Sequence, residues 1–140
     1  MKLRLHATLA TAFAAILLAT SIGLNTGSRS VAAAAPDGKA LFNTNCSTCH
    51  QENGLGQPNV FPPLAGNTEV TAKDPTPIIA IVLHGLASPK VIMGKQYAGG
   101  MPPWKGTLTN AEIAAVLTYV RSAWGNKGTP VTEKQVAAVK

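Results

Sequence analysis

The residues best suited to chemistry are two cysteines three apart with a histidine directly after the second, Cys46-Ser47-Thr48-Cys49-His50, in a chain with no other cysteine. A zinc site needs four ligands. Beyond residue 34 only His84 could join these three, and there is no second C-x-x-C or H-x-x-x-H group. A redox dithiol of thioredoxin type sits between a strand and a helix in a βαβ unit, whereas the residues before Cys46 read as a helix. A plain structural disulfide is a third use of the pair. The fourth is covalent attachment of haem: a helical C-x-x-C presents two thiols for thioether bonds to the two vinyl groups of one porphyrin, and the adjoining histidine offers an imidazole nitrogen to the iron.

A second axial ligand would make that last reading far more specific, and "YAGGMPPWKG" supplies a candidate. A thioether must arrive on a segment whose backbone can approach closely, which Gly99 and Gly100 permit, and which is held rigidly, as Pro102 and Pro103 do by fixing φ. Met101 lies between the two pairs. Met93, in "KVIMGKQY", is expected to be core filler. His84 ends an apolar segment, where a satisfied or haem-edge role suits it better than iron ligation.

These groups need elements to position them. Asp37 to Asn45 reads as a short helix leading into the cysteine motif, with Ala40, Leu41 and Phe42 available to pack. "GLGQPNVFPPLAG", from Gly54 to Gly66, is turn chemistry throughout. A helix is expected after Asp74-Pro75-Thr76-Pro77, with Ile78 to Leu83 as its apolar part and His84-Gly85 as its end. Ala87 to Gly106 reads as loop. The clearest helix opens with Thr109 as N-cap and Glu112 completing a capping box. Ile113, Val116, Leu117 and Val120 then form one face, and Gly125 is a natural stop. Thr132 to Val139 is expected to form a further short helix.

The first part of the chain reads differently. Lys2 and Arg4 precede an uncharged run from Ala7 to Leu24, a polar segment follows, and Val31-Ala32-Ala33-Ala34-Ala35 offers small residues at A-x-A spacing. This is the layout of a secretory signal peptide, expected to span residues 1–34, with an uncleaved membrane anchor as the alternative. Three of the twelve basic residues, Lys2, Arg4 and Arg29, fall within it, so the formal charge of +6 owes half its excess to this segment. Without a basic run or many aromatics, the chain has no footprint for nucleic acid. A mature domain of about 105 residues, rich in Gly and Pro, is the size at which a cofactor often completes the core.

Taken in order, "DGKALFNTNCSTCH", "FPPLAGN", "IIAIVLHGL", "GGMPPW" and "LTNAEIAAVLTYVRSAWGN" resemble the class I, single-haem bacterial cytochromes c, over essentially all of residues 36–128. The resemblance implies an all-α, small helical domain, residues 35–128, wrapped around one covalently bound haem c, with residues 129–140 as a C-terminal tail or short helix. It implies that Cys46 and Cys49 carry the thioethers, and that His50 and Met101 are the axial ligands of the iron. Pro62 would offer its carbonyl to the other nitrogen of His50, and Gly38 and Phe42 would pack across the later helix near Tyr119. For the haem propionates, Trp104 and Lys105 are the candidates. The function implied is that of an electron carrier rather than an enzyme: a periplasmic monohaem cytochrome passing single electrons between redox protein partners. Lys90, Lys95 and Lys105 would face acidic docking surfaces, and the membrane would be involved only if the N-terminal segment stays uncleaved. The alternative is a non-diffusing cytochrome subunit of a dehydrogenase, nitrite reductase or oxidase complex. Peroxidase-like chemistry would require Met101 to leave the iron.

Overall fold

The computed structural model describes residues 34–140, and the expected signal peptide lies outside the described residues, apart from Ala34 itself. The described elements run α1 Gly38–Asn45, α2 Ser47–His50, α3 Thr76–His84, β1 Lys90–Ile92, β2 Lys95–Tyr97, α4 Asn110–Ser122 and α5 Glu133–Ala138. No helix among them is long and apolar enough to cross a membrane.

Local sequence explains the helix ends. Asp37 caps α1 by accepting from the backbone N–H groups of Lys39 and Ala40, satisfying donors that the first turn leaves free. The capping box of α4 forms as expected: Glu112 N–H donates to the Thr109 hydroxyl, and the Glu112 carboxylate accepts from Thr109 N–H at 2.8 Å. That backbone bond, with a second from the Thr109 hydroxyl, holds the Glu112 carboxyl below its ordinary pKa. Thr132 and Gln135 repeat the device on α5. Helix α3 stops at Gly85, whose φ of 78° is open to glycine.

Two apolar clusters hold the fold, one on each side of α4. Ile113, Ala114 and Leu117 meet Ile78, Ile79 and Leu83 of α3 together with Val131 and Val136, so the C-terminal segment and α5 are built into the core. Val116 and Val120 meet Phe42 and Val70 on the other side. Helix α1 crosses α4 at Gly38, where a Cβ would collide with the carbonyl of Ala115 and lie 3.1 Å from Tyr119 Cβ. The close approach brings the Phe42 and Tyr119 rings to 5.6 Å, and Trp124 closes the group edge-on to both. The expected Gly38–Phe42–Tyr119 packing is therefore present.

The segment from Ala87 to Gly106 departs from its expectation as loop. Lys90–Ile92 and Lys95–Tyr97 pair antiparallel, Ile92 opposite Lys95, around a two-residue turn of Met93 and Gly94. Both turn residues have positive φ, 50° and 75°, the pattern of a type I′ turn. Ile92 and Tyr97 are buried while Met93 is 48% exposed, so Met93 is a turn residue and not core filler. Physically, the hairpin buries one residue from each strand and leaves the rest in water.

Candidate functional site

A single apolar cavity gathers the residues that the sequence singled out. Cys46, Cys49, His50, Pro62, Met101 and Trp104 all line it, with walls supplied by Phe42, Leu64, Val70, Ile78, Leu86, Ile92 and Leu117. Its empty volume, counting the open mouth, is about 1190 Å³. Cofactor pockets run to about 300–1,000 Å³ and are lined mainly by apolar side chains with a few placed polar groups.

Each functional side chain is placed by a local device. Helix α1 runs into α2 with Cys46 as the hinge, its N–H bonded to Phe42 O at 2.8 Å, and Cys49 and His50 N–H groups both bond to Cys46 O. One tight turn therefore presents both thiols and the imidazole. The pair is free rather than disulfide-linked. Burial, and then the neighbouring Cys49, push the Cys46 thiol up to about 11, which keeps it protonated near neutral pH. No strand adjoins the motif, so the thioredoxin arrangement is not what the fold supplies. Among the described residues no group of three or more His, Cys, Asp or Glu side chains is placed to hold a metal ion.

His50 Nδ1 lies 3.1 Å from the carbonyl of Pro62. A carbonyl only accepts, so Nδ1 carries the proton and Nε2 keeps its lone pair for an electrophile. Burial lowers the His50 pKa against the opposing effect of the Pro62 bond, and the neutral ring is the form that ligates metals. The expected Pro62 contact is thus observed.

Met101 reaches the cavity from another segment. It forms an antiparallel bridge with Leu86, exchanging two backbone hydrogen bonds of 2.9 Å. Trp104 and Lys105 N–H groups bond the carbonyls of Val82 and Leu83, tying the same loop to the end of α3. Gly99 lies against the Phe61 ring, and a Cβ there would also come within 2.7 Å of Val60 O. Close approach at Gly99 is required, while Gly100 meets only ordinary contact distances. His84 is exposed, its Nε2 3.0 Å from the carbonyl of Lys140, and is absent from the cavity wall. Lys105 is exposed and does not line the cavity either, so of the two propionate candidates only Trp104 borders it.

Sequence reasoning missed the polar groups behind the cavity. Arg121 is fully buried on α4, and its guanidinium donates to Val70 O, Ala72 O, Thr129 O and the Thr129 hydroxyl. Asn67 lines the cavity and donates to Pro63 O, while Asn126 holds Leu64 and Gly66. The signal available for Arg121 was its place four residues after Leu117, on the apolar stripe; Asn67 and Asn126 carried none, because their partners are backbone atoms.

The profile of the cytochrome c family matches residues 35–124. The chain is 39% identical over 99 residues to a cytochrome c-552 of Thermus thermophilus, covering 69% of this chain and 66% of that protein. It is 34% identical over 90 residues to the cytochrome c subunit of a quinone alcohol dehydrogenase from Gluconacetobacter polyoxogenes, covering 64% of this chain but only 19% of that one. Among solved structures, cytochrome cL of Methylophaga aminisulfidivorans aligns with a TM-score of 0.48 at 28% identity, over 74% of this chain and 63% of that one.

Proposed function

The chain belongs to the cytochrome c family, electron carriers that hold haem c covalently through a C-x-x-C motif, and from that premise we propose that it is an exported, periplasmic single-electron carrier with Cys46 and Cys49 as the haem tethers and His50 and Met101 as the axial ligands. The observation that carries this reading is the convergence of two thiols, one neutral imidazole and one thioether on a single apolar cavity.

The group supplies a one-electron couple between ferric and ferrous iron. The chain's own residues decide the conditions for it. His50, fixed by Pro62, would hold the iron through Nε2, and the soft Met101 sulfur would favour the reduced metal. The apolar wall disfavours the additional positive charge of the oxidised state. Trp104, which borders the cavity, is the candidate that would meet a propionate.

Partner selection follows from charge. Residues 75–111 carry Lys90, Lys95 and Lys105 and no acidic residue, and all three lysines are exposed. This stretch includes Met101 and the hairpin, so the cavity's Met101 side presents positive charge to an acidic partner and speeds encounter at low salt. Residues 1–34 act as the export signal.

The relatives divide between a small cytochrome and dehydrogenase subunits, which makes assembly the quantity to measure. Protein isolated from the periplasm at high salt is expected to elute at the size of a single small domain. Co-elution with a large dehydrogenase or oxidase under those conditions would replace the diffusing carrier with a fixed subunit.

A further inference from the structure

Asn126 stands outside the haem-contacting residues, yet its side chain grips the segment that presents Pro62 to His50. It is 7% exposed and lies just beyond α4. Its Nδ2 donates to Leu64 O at 3.0 Å and to Val120 O at 2.8 Å, while its Oδ1 accepts from Gly66 N–H at 2.9 Å. Reversing the amide would set its NH₂ against an N–H and its oxygen against two carbonyls, so the orientation is forced. Val120 O lies in the last turn of α4, among the carbonyls a helix leaves without a partner. The amide therefore joins that turn to a loop sixty residues earlier in sequence.

The opposite edge of the loop is held by Gly54, whose carbonyl accepts from the N–H groups of Leu64 and Ala65 at 2.7 and 3.0 Å. With donors and acceptors engaged on both edges, the segment cannot slip by a residue. Pro62 and Pro63 then carry this placement to the histidine. Pro63 has a fixed φ and no N–H, and it restricts Pro62 to extended backbone. Leu64, Pro63 and the Pro62 carbonyl therefore move as one stiff piece, whose end lies 3.1 Å from His50 Nδ1.

We propose that Asn126 is a positioning residue that keeps the Pro62 carbonyl against His50 and so sets how strongly the imidazole donates to the haem iron. The proposal rests on His50 being an axial ligand. A hydrogen-bonded carbonyl raises the basicity of a ligating imidazole, which favours the ferric state. Loosening the loop weakens that bond, exposes the ring N–H to solvent exchange and raises the reduction potential.

The test uses the haem-loaded protein and compares Asn126→Ala with Val136→Ala. Val136 is 1% exposed, packs in the α3–α4–α5 cluster and does not itself line the cavity, so it reports destabilisation of the core rather than of the Pro62 loop. In Asn126→Ala the hyperfine-shifted His50 ring N–H is expected to exchange about tenfold faster than in Val136→Ala, the scale of one lost hydrogen bond, and the potential is expected to rise. If Asn126→Ala does not fold, Asn126→Ser, whose hydroxyl can donate to one of the two carbonyls, is expected to show the same changes at smaller size. Exchange no faster than in Val136→Ala, or a potential that falls, overturns the positioning role. Absence of a shifted His50 ring signal in the unmutated protein would instead overturn the axial assignment on which the proposal stands.

Discussion

Met101→Ala is expected to abolish the ferric methionine-to-iron charge-transfer band and to lower the reduction potential by on the order of 100 mV or more, within the span of about 0.8 V that axial ligands set across haem proteins. The direction follows from ligand chemistry: a thioether is a soft, weak donor that stabilises ferrous iron, and replacing it with water or a harder ligand favours the ferric state. Met93→Ala provides the control. Met93 is half exposed in the hairpin turn, whereas Met101 lines the cavity and is held by its bridge to Leu86. His84 offers no substitute ligand, since it is exposed beside the carbonyl of Lys140. A band that survives in Met101→Ala would transfer the ligand role to another residue.

Arg121→Ala is expected to reduce the stability of the loaded protein by about 3 kcal/mol or more, measured by denaturant titration. Arg121 is the largest fully buried side chain among the described residues, and its guanidinium satisfies the carbonyls of Val70, Ala72 and Thr129. Removing it leaves the buried Val70 carbonyl without a donor, at about 1–3 kcal/mol where water cannot reach it, strips the part-buried Ala72 and Thr129 carbonyls at smaller cost, and opens a cavity as well. A domain of this size has about 5–15 kcal/mol in total, so the loss is a large share. Desolvation lowers the Arg121 pKa, yet an arginine keeps its charge at neutral pH, and its charge is spread over carbonyl dipoles. Arg121→Met separates the contributions: it restores most of the volume and none of the donors. Equal stability in Arg121→Met and the unmutated protein would show that volume alone matters there.

What the sequence revealed and what it hid divide along physical lines. Cys46, Cys49, His50 and Met101, which meet on one cavity, were legible as candidates because their chemistry resides in side-chain type and in short local spacing. The start of α4 was legible for a similar reason, since Thr109 and Glu112 form their capping box within one turn, whereas its end was not: the helix stops at Ser122, three residues before Gly125. The hairpin was hidden because each strand has only three residues and its turn uses Met93-Gly94 in place of Asn-Gly or Asp-Gly. The roles of Arg121 and Asn126 were hidden because the partners they draw together include carbonyl and N–H groups 49–62 residues away, and backbone groups leave no mark in sequence. The Gly- and Pro-rich middle, featureless by periodicity, proves to be the wall of the cavity: Phe61, Pro62, Leu64, Leu86 and Trp104 all border it.

The central claim, that Cys46 and Cys49 bind a haem covalently in this cavity, is tested most directly by a denaturing gel of the purified protein stained for haem, run beside a mass measurement. The unmutated chain is expected to keep the stain after denaturation, with a mass equal to the chain from about residue 35 onward plus one haem, and the Cys46→Ala/Cys49→Ala variant to lose it. Haem that dissociates from the unmutated chain on denaturation, or a mass showing two unmodified thiols, would contradict the account.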